Sequence, residues 1–178
     1  MALRLTAIRR PRRGPQEGAT AVEFAMVAGP LFFMIMATLE LAMVFVVSTM
    51  LESALSKAAR EIRTGQQQGS ADVSEAAFVD KVCSQMVFLQ ANCEGQLAVD
   101  VRGTNGFGAD GAPNPVQGGT FSDADLTFAP GGPNAIVLVR AFYRWPLFTP
   151  FLSQALSKVG VNTAVITAAD TFRNEPFA

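Results

Sequence analysis

The sequence predicts an α+β protein in which one long N-terminal helix crosses a membrane and continues into an exported domain built on a small antiparallel sheet. Three observations carry that prediction. The apolar residues are concentrated between Phe24 and Val47 rather than spread along the chain. Arg4, Arg9, Arg10, Arg12 and Arg13 stand directly before that run. Strand-like patterns appear only after about residue 96, once helical periodicity has ended. At 178 residues the chain has room for one domain and a membrane segment, and not for two comfortably sized domains.

The run FAMVAGPLFFMIMATLELAMVFVV, Phe24 to Val47, holds a single charge, Glu40. As a helix it extends roughly 36 Å, enough to cross a bilayer. Basic residues are retained on the cytoplasmic side, so the upstream arginines place the N-terminus inside and everything after about residue 48 outside. The apolar stretch is too long for the core of a secretory signal, and no clear small-residue cleavage site follows it. Helical periodicity continues through STMLESALSKAAREIR. There Met50, Leu51, Ala54, Leu55, Ala58, Ala59 and Ile62 form one stripe, while Glu52, Lys57, Arg60, Glu61 and Arg63 occupy the remaining surface. A continuous helix from Ala19 to Arg63 is roughly 67 Å long, with a kink expected at Pro30.

The Gln- and Gly-containing stretch from Gly65 to Ser70 ends this helix. Asp72 or Ser74 can then cap a second amphipathic helix reaching about Leu89, whose Ala77, Phe78, Val82, Met86 and Leu89 share a face. Leu97, Val99 and Val101 alternate with Ala98, Asp100 and Arg102 as a strand. Gly103 to Asn134 is rich in Gly, Pro, Asn and Asp and reads as a long exposed loop with a short strand near Leu126–Phe128. Ile136 to Trp145 is a strand stopped by Pro146, Phe148 to Lys158 a short helix, and Val161 to Phe172 the last strand. Three antiparallel strands packed on the exported half of the long helix would bury both apolar faces.

The formal net charge of −1 conceals an asymmetry, since beyond Gly18 there are nine Lys and Arg against fourteen Asp and Glu. Such a domain is a poor nucleic-acid binder, because phosphate contacts need clustered positive charge. The chain contains no histidine, which removes the commonest general base and metal ligand. No nucleophile elbow and no convincing carboxylate pair is present either, so the chain reads as a non-enzyme without cofactor. Asp110, Asp123 and Asp125 invite a calcium hypothesis, but their spacing fits no defined ion-binding loop, and no metal site is assigned. Phe142, Tyr143 and Trp145 read as core and sheet-edge residues.

Cys83 and Cys93 are either buried thiols or, if the domain faces an oxidising compartment, a disulfide between the end of the second helix and the turn before the first strand. Export favours the disulfide. Glu40, about five residues past the middle of the apolar run, must face protein or water or be neutral in lipid. A membrane-level contact with another subunit is expected, the alternative being a neutral acid bonded within its own helix.

At the mouth of the apolar run stands Glu17-Gly18-Ala19-Thr20-Ala21-Val22-Glu23-Phe24, with an acid five positions beyond a glycine. This resembles a type IV prepilin processing site, in which a membrane-embedded peptidase cuts after the glycine. The cut would fall between Gly18 and Ala19 and make Glu23 the fifth residue of the mature chain. A carboxylate at the start of a membrane helix needs a partner, and the new amine of Ala19, from the same or a neighbouring subunit, is a candidate. An interfacial glutamate favoured by the helix N-terminus is the simpler alternative.

GATAVEFAMV after the Arg-rich leader, Leu39-Glu40-Leu41, Ala58-Ala59-Arg60, the two cysteines and the segment Asn162 to Phe177 together resemble the TadE-like pseudopilins of tight-adherence (Flp, type IVb) pilus systems. The resemblance implies a basic leader at 1–18, a transmembrane and amphipathic spine helix at 19–64 and a pilin-like exported domain at 65–178. It implies a minor pseudopilin of the bacterial inner membrane, with its C-terminal domain in the periplasm or incorporated in the pilus. The implied partners are the prepilin peptidase, the inner-membrane platform and motor, the major Flp pilin, other minor pseudopilins and the lipid bilayer. The competing reading is an unprocessed single-pass protein whose exported domain binds a ligand or protein partner.

Overall fold

A computed structural model describes residues 16–66, 74–104, 106, 111–149, 152–156 and 158–176. Most of the expected leader, together with Asp72, Asp110 and Phe177, lies outside the described residues. The chain divides into two units, Met1–Met36 and Ala37–Ala178. Helix α1 (Gln16–Arg63) supplies the described part of the first and opens the second. Pro30 lies inside α1 without ending it.

The second unit is α+β, as expected. After α1 come α2 (Glu75–Gln85), α3 (Gln90–Gln96), β1 (Leu97–Thr104), β2 (Val116–Gln117), β3 (Thr120–Phe121), β4 (Ile136–Pro146), α4 (Leu152–Leu156) and β5 (Thr163–Arg173). Strands β1, β4 and β5 form one antiparallel sheet with β4 at its centre. With the main core on one face and Phe121 against Phe142 on the other, β4 is covered on both faces and buried along nearly its whole length, so it has little need of polar alternation.

One hydrophobic core joins the sheet to the helices. Val47, Leu51, Ala54, Leu55, Ala58, Ala59 and Ile62 come from α1, Phe78, Val82 and Met86 from α2 and its end, and Leu97, Val99, Val101, Val137, Val139, Ala141 and Ile166 from the sheet. The stripe on α1 is the expected one except at its start, where Val47 belongs to it and Met50 is only partly buried.

Helix α2 starts where Ser74 accepts the Ala77 N–H at 3.2 Å, satisfying one of the free donors of the first turn. It ends at Gln85, four residues short of the expected Leu89, and a further short helix, α3, follows. The chain turns back at Val87–Leu89, and the returning segment brings Cys93 to Cys83, to which it is bonded with Cα atoms 5.6 Å apart.

The segment read as an exposed loop from Gly103 to Asn134 is better organised than expected. β2 and β3 make a small hairpin whose two turn residues, Gly118 and Gly119, have φ of 57° and 78°, the left-handed pair a tight twisted turn requires. Phe128 forms a parallel bridge with Val101, through Val101 N–H to Thr127 O and Ala129 N–H to Val101 O, both 2.7 Å. The Phe121 ring meets Phe142 edge-on at 6.3 Å, so the segment covers the sheet face turned away from the main core.

Candidate functional site

Between Phe24 and Met36 α1 is apolar and largely exposed. Val22, Phe24, Met26, Val27, Phe32 and Met34 are all more than half exposed, and only 11% of the helix's most apolar window is buried. A core helix of a soluble domain would be covered, so composition and exposure together fit a segment that crosses a membrane once. Gly18, Ala19 and Glu23 all lie on α1 and are exposed. Ala19 and Glu23 are four residues apart, which puts them one turn apart on the same helical face.

Glu40 is different. Its side chain is buried, at 8% exposure, in the middle of an apolar surface. One carboxylate oxygen accepts the Phe148 backbone N–H and the other accepts the Thr149 N–H at 2.9 Å. The Thr149 hydroxyl adds a third hydrogen bond. The donors belong to the loop after β4, over a hundred residues along the chain, whereas the sequence suggested a subunit contact or a bond within the helix. No signal in the local sequence pairs Glu40 with that loop, since the pairing depends on how β4 returns along α1.

Cys83 and Cys93 form a disulfide that closes the α2–α3 hairpin over the buried stripe of α1. Next to the turn of that hairpin, Met43, Val46, Val47, Met50, Phe88 and Leu89 line an apolar groove of about 280 Å³.

A second buried carboxylate escaped the sequence reading altogether. Asp100 on β1 is fully buried and lies opposite Arg140 on β4. It accepts from Arg140 Nε at 3.0 Å, from Arg102 Nε at 2.9 Å and from the Thr127 N–H at 3.0 Å. Burial alone would push its pKa up, but the hydrogen bonds from Arg102, Arg140 and Thr127 and the Arg140 charge outweigh burial and hold it below the ordinary aspartate value. Arg102 also donates to the Asp125 carbonyl at 3.0 Å. The cluster therefore fastens the 125–128 segment to the sheet, a structural task. It was hidden because Asp100 and Arg140 are forty residues apart and meet only through strand register.

Asp123 and Asp125, the described members of the calcium hypothesis, are exposed. Among the described residues no group of three or more His, Cys, Asp or Glu could hold a metal ion. Phe142, Tyr143 and Trp145 are buried.

The family model described as TadE-like protein matches residues 18–60, in agreement with the resemblance read from the sequence. The matched segment contains Gly18, Ala19, Glu23, Glu40 and the Ala58-Ala59-Arg60 turn, and stops before the cysteines. No curated protein and no solved structure matches the chain.

Proposed function

We propose that this chain is a minor pseudopilin that takes part in assembling a tight-adherence type IV pilus, after prepilin peptidase has removed residues 1–18. The observation that carries the reading is the coincidence of two features in one segment. The TadE-like match begins at Gly18, and there an exposed helix places Glu23 one turn from Ala19, at the entrance of a bare apolar run. Cleavage would create an amine on the same helical face as the Glu23 carboxylate, so the acid gains a charge partner from its own chain or from a neighbour as subunits stack.

In this reading the N-terminus is cytoplasmic and the 65–178 domain is periplasmic or incorporated in the fibre. The protein acts by helix packing against the major Flp pilin, other minor pseudopilins and the inner-membrane platform, and catalyses nothing itself. A domain of this size, with a sheet and a disulfide, suits initiation, capping or regulation of a fibre better than bulk subunit duty. The disulfide fits the oxidising compartment this topology implies.

N-terminal sequencing and intact mass of the protein from cells with and without the peptidase test the proposal. The expected mature chain begins at Ala19 when the peptidase is present and retains residues 1–18 when it is absent. An intact N-terminus in both strains would overturn processing and favour an unprocessed single-pass protein.

A further inference from the structure

The contact between Glu40 and the loop after β4 has a consequence for where the exported domain sits. Along a helix, residue 40 lies about 10 Å short of Val47, the last residue of the apolar run. If the run crosses the bilayer to its end, the Phe148–Thr149 loop is carried the same distance below the membrane boundary. The loop is built for that. The Leu147 N–H bonds to the Asn162 carbonyl at 2.7 Å, and the Phe148 and Thr149 N–H groups are both taken by Glu40. A non-helical segment at membrane depth is tolerated only when its backbone donors are satisfied internally. Glu40 in turn obtains neutral donors where no cation is at hand.

Two separate turns present bare apolar side chains beside this part of α1. Phe148 is 77% exposed, and Val87 and Phe88 at the α2–α3 turn are 71% and 86% exposed. On α1 itself Leu41, Met43, Phe45 and Val46 are exposed at the same level. The three stretches are free of charge: residues 41–51 of α1, residues 86–93 around the hairpin turn, and residues 145–157 after β4. An apolar collar continuous with a membrane-crossing run, and charge-free on three chain segments, matches acyl chains and not water.

We infer that the base of the exported domain is seated in the outer leaflet, with Phe88, Phe148 and the exposed 41–46 face of α1 in contact with lipid. The bilayer thus fixes the height of the domain, and Glu40 is the internal tie that lets a loop enter the membrane. The inference rests on the membrane-crossing reading of α1 and adds a second, domain-borne contact to it.

The chain has one tryptophan, so position-specific fluorescence can test this. Phe88→Trp and Phe148→Trp, each with Trp145→Phe, are reconstituted as full chains in phosphatidylethanolamine/phosphatidylglycerol vesicles with or without brominated acyl chains. Gln66→Trp with Trp145→Phe, beyond the far end of α1, is the control. Emission at positions 88 and 148 is expected to be blue-shifted and roughly halved by the brominated lipid, with position 66 unaffected. Should Trp145→Phe disturb the fold, the increment in quenching over the parent chain reads the same contact with Trp145 kept. Water-like, unquenched emission from a protein that resists alkaline carbonate extraction would overturn the collar while leaving the membrane crossing intact. Release by carbonate would overturn the crossing and the collar with it. Blue-shifted but unquenched emission would mean that protein, such as a second copy, covers the collar, and would also overturn the inference.

Discussion

The two halves of α1 are equally helical and solve opposite problems. From Val22 to Met36 apolar side chains project on every side and stay exposed, whereas from Val47 to Ile62 they are confined to one stripe and are almost completely buried. Helix propensity does not separate the halves; what differs is the solvent each expects. A helix apolar all round is satisfied only by lipid or by other apolar helices, and a helix with one stripe is satisfied by a sheet. The contrast teaches that a single secondary-structure element can belong to two environments, with the change of pattern marking the handover.

The largest expected effect is the one that would break this contrast. Leu55, at 1% exposure, is enclosed by the core, and Leu55→Ala should cost about 2–5 kcal/mol of domain stability through lost burial and the cavity left behind. Leu31 is 53% exposed, and Leu31→Ala should change unfolding of the domain by no more than about 0.5 kcal/mol. Urea unfolding in non-ionic detergent, followed by the fluorescence of buried Trp145, compares the two. Equal losses would show that the halves of α1 are not energetically distinct.

A smaller effect sharpens the same comparison from the other side. The buried stripe is covered in part by Phe78, Val82, Met86 and Cys93 of the α2–α3 hairpin, and the disulfide closes that hairpin. The double substitution Cys83→Ser, Cys93→Ser should lower stability by about 2–3 kcal/mol, because the unfolded chain regains the freedom of the short closed loop. Proteolysis should then cut first in residues 75–96. A stability unchanged from the parent chain would mean that packing alone holds the hairpin on α1.

What could be read in advance follows from the range of the interactions. The apolar run, the stripe on α1 and the strands at 97–102 and 136–145 are periodicities within one segment, and they were legible. The hairpin turn back at Val87–Leu89 was not legible even with the Cys83–Cys93 disulfide expected, because the local pattern favours a longer helix. Gly118-Gly119 carried a turn signal that the surrounding loop composition obscured. At the candidate site Gly18, Ala19 and Glu23 were visible as a spacing, while the partners of Glu40 and Asp100 were not. Glu40 is satisfied by residues brought close only by tertiary pairing, and of the partners of Asp100 only Arg102, two residues along the same strand face, lay within local reach. A polar residue in an apolar pattern announces that a partner exists without saying which.

Those two carboxylates provide the last and smallest test. Glu40, on the charge-free part of α1, is held by uncharged backbone and hydroxyl donors, and Asp100, far from that region in the sheet, is held by two guanidinium groups. The folded-state pKa of Asp100 lies below its unfolded value of about 3.9. Between those two values the unfolded chain binds the proton more readily, so acid favours unfolding. The contribution of Asp100 is therefore complete above about pH 4 and is lost as pH falls through its lowered folded pKa. Asp100→Asn removes the titration and leaves Arg140 buried with a weaker, neutral acceptor. The variant should be less stable near neutral pH and should show a shallower fall in stability below about pH 4 than the parent chain. An acid limb of unchanged slope would mean that Asp100 is not preferentially ionised in the fold, and the distinction between a cation-held and an amide-held carboxylate would lose its basis.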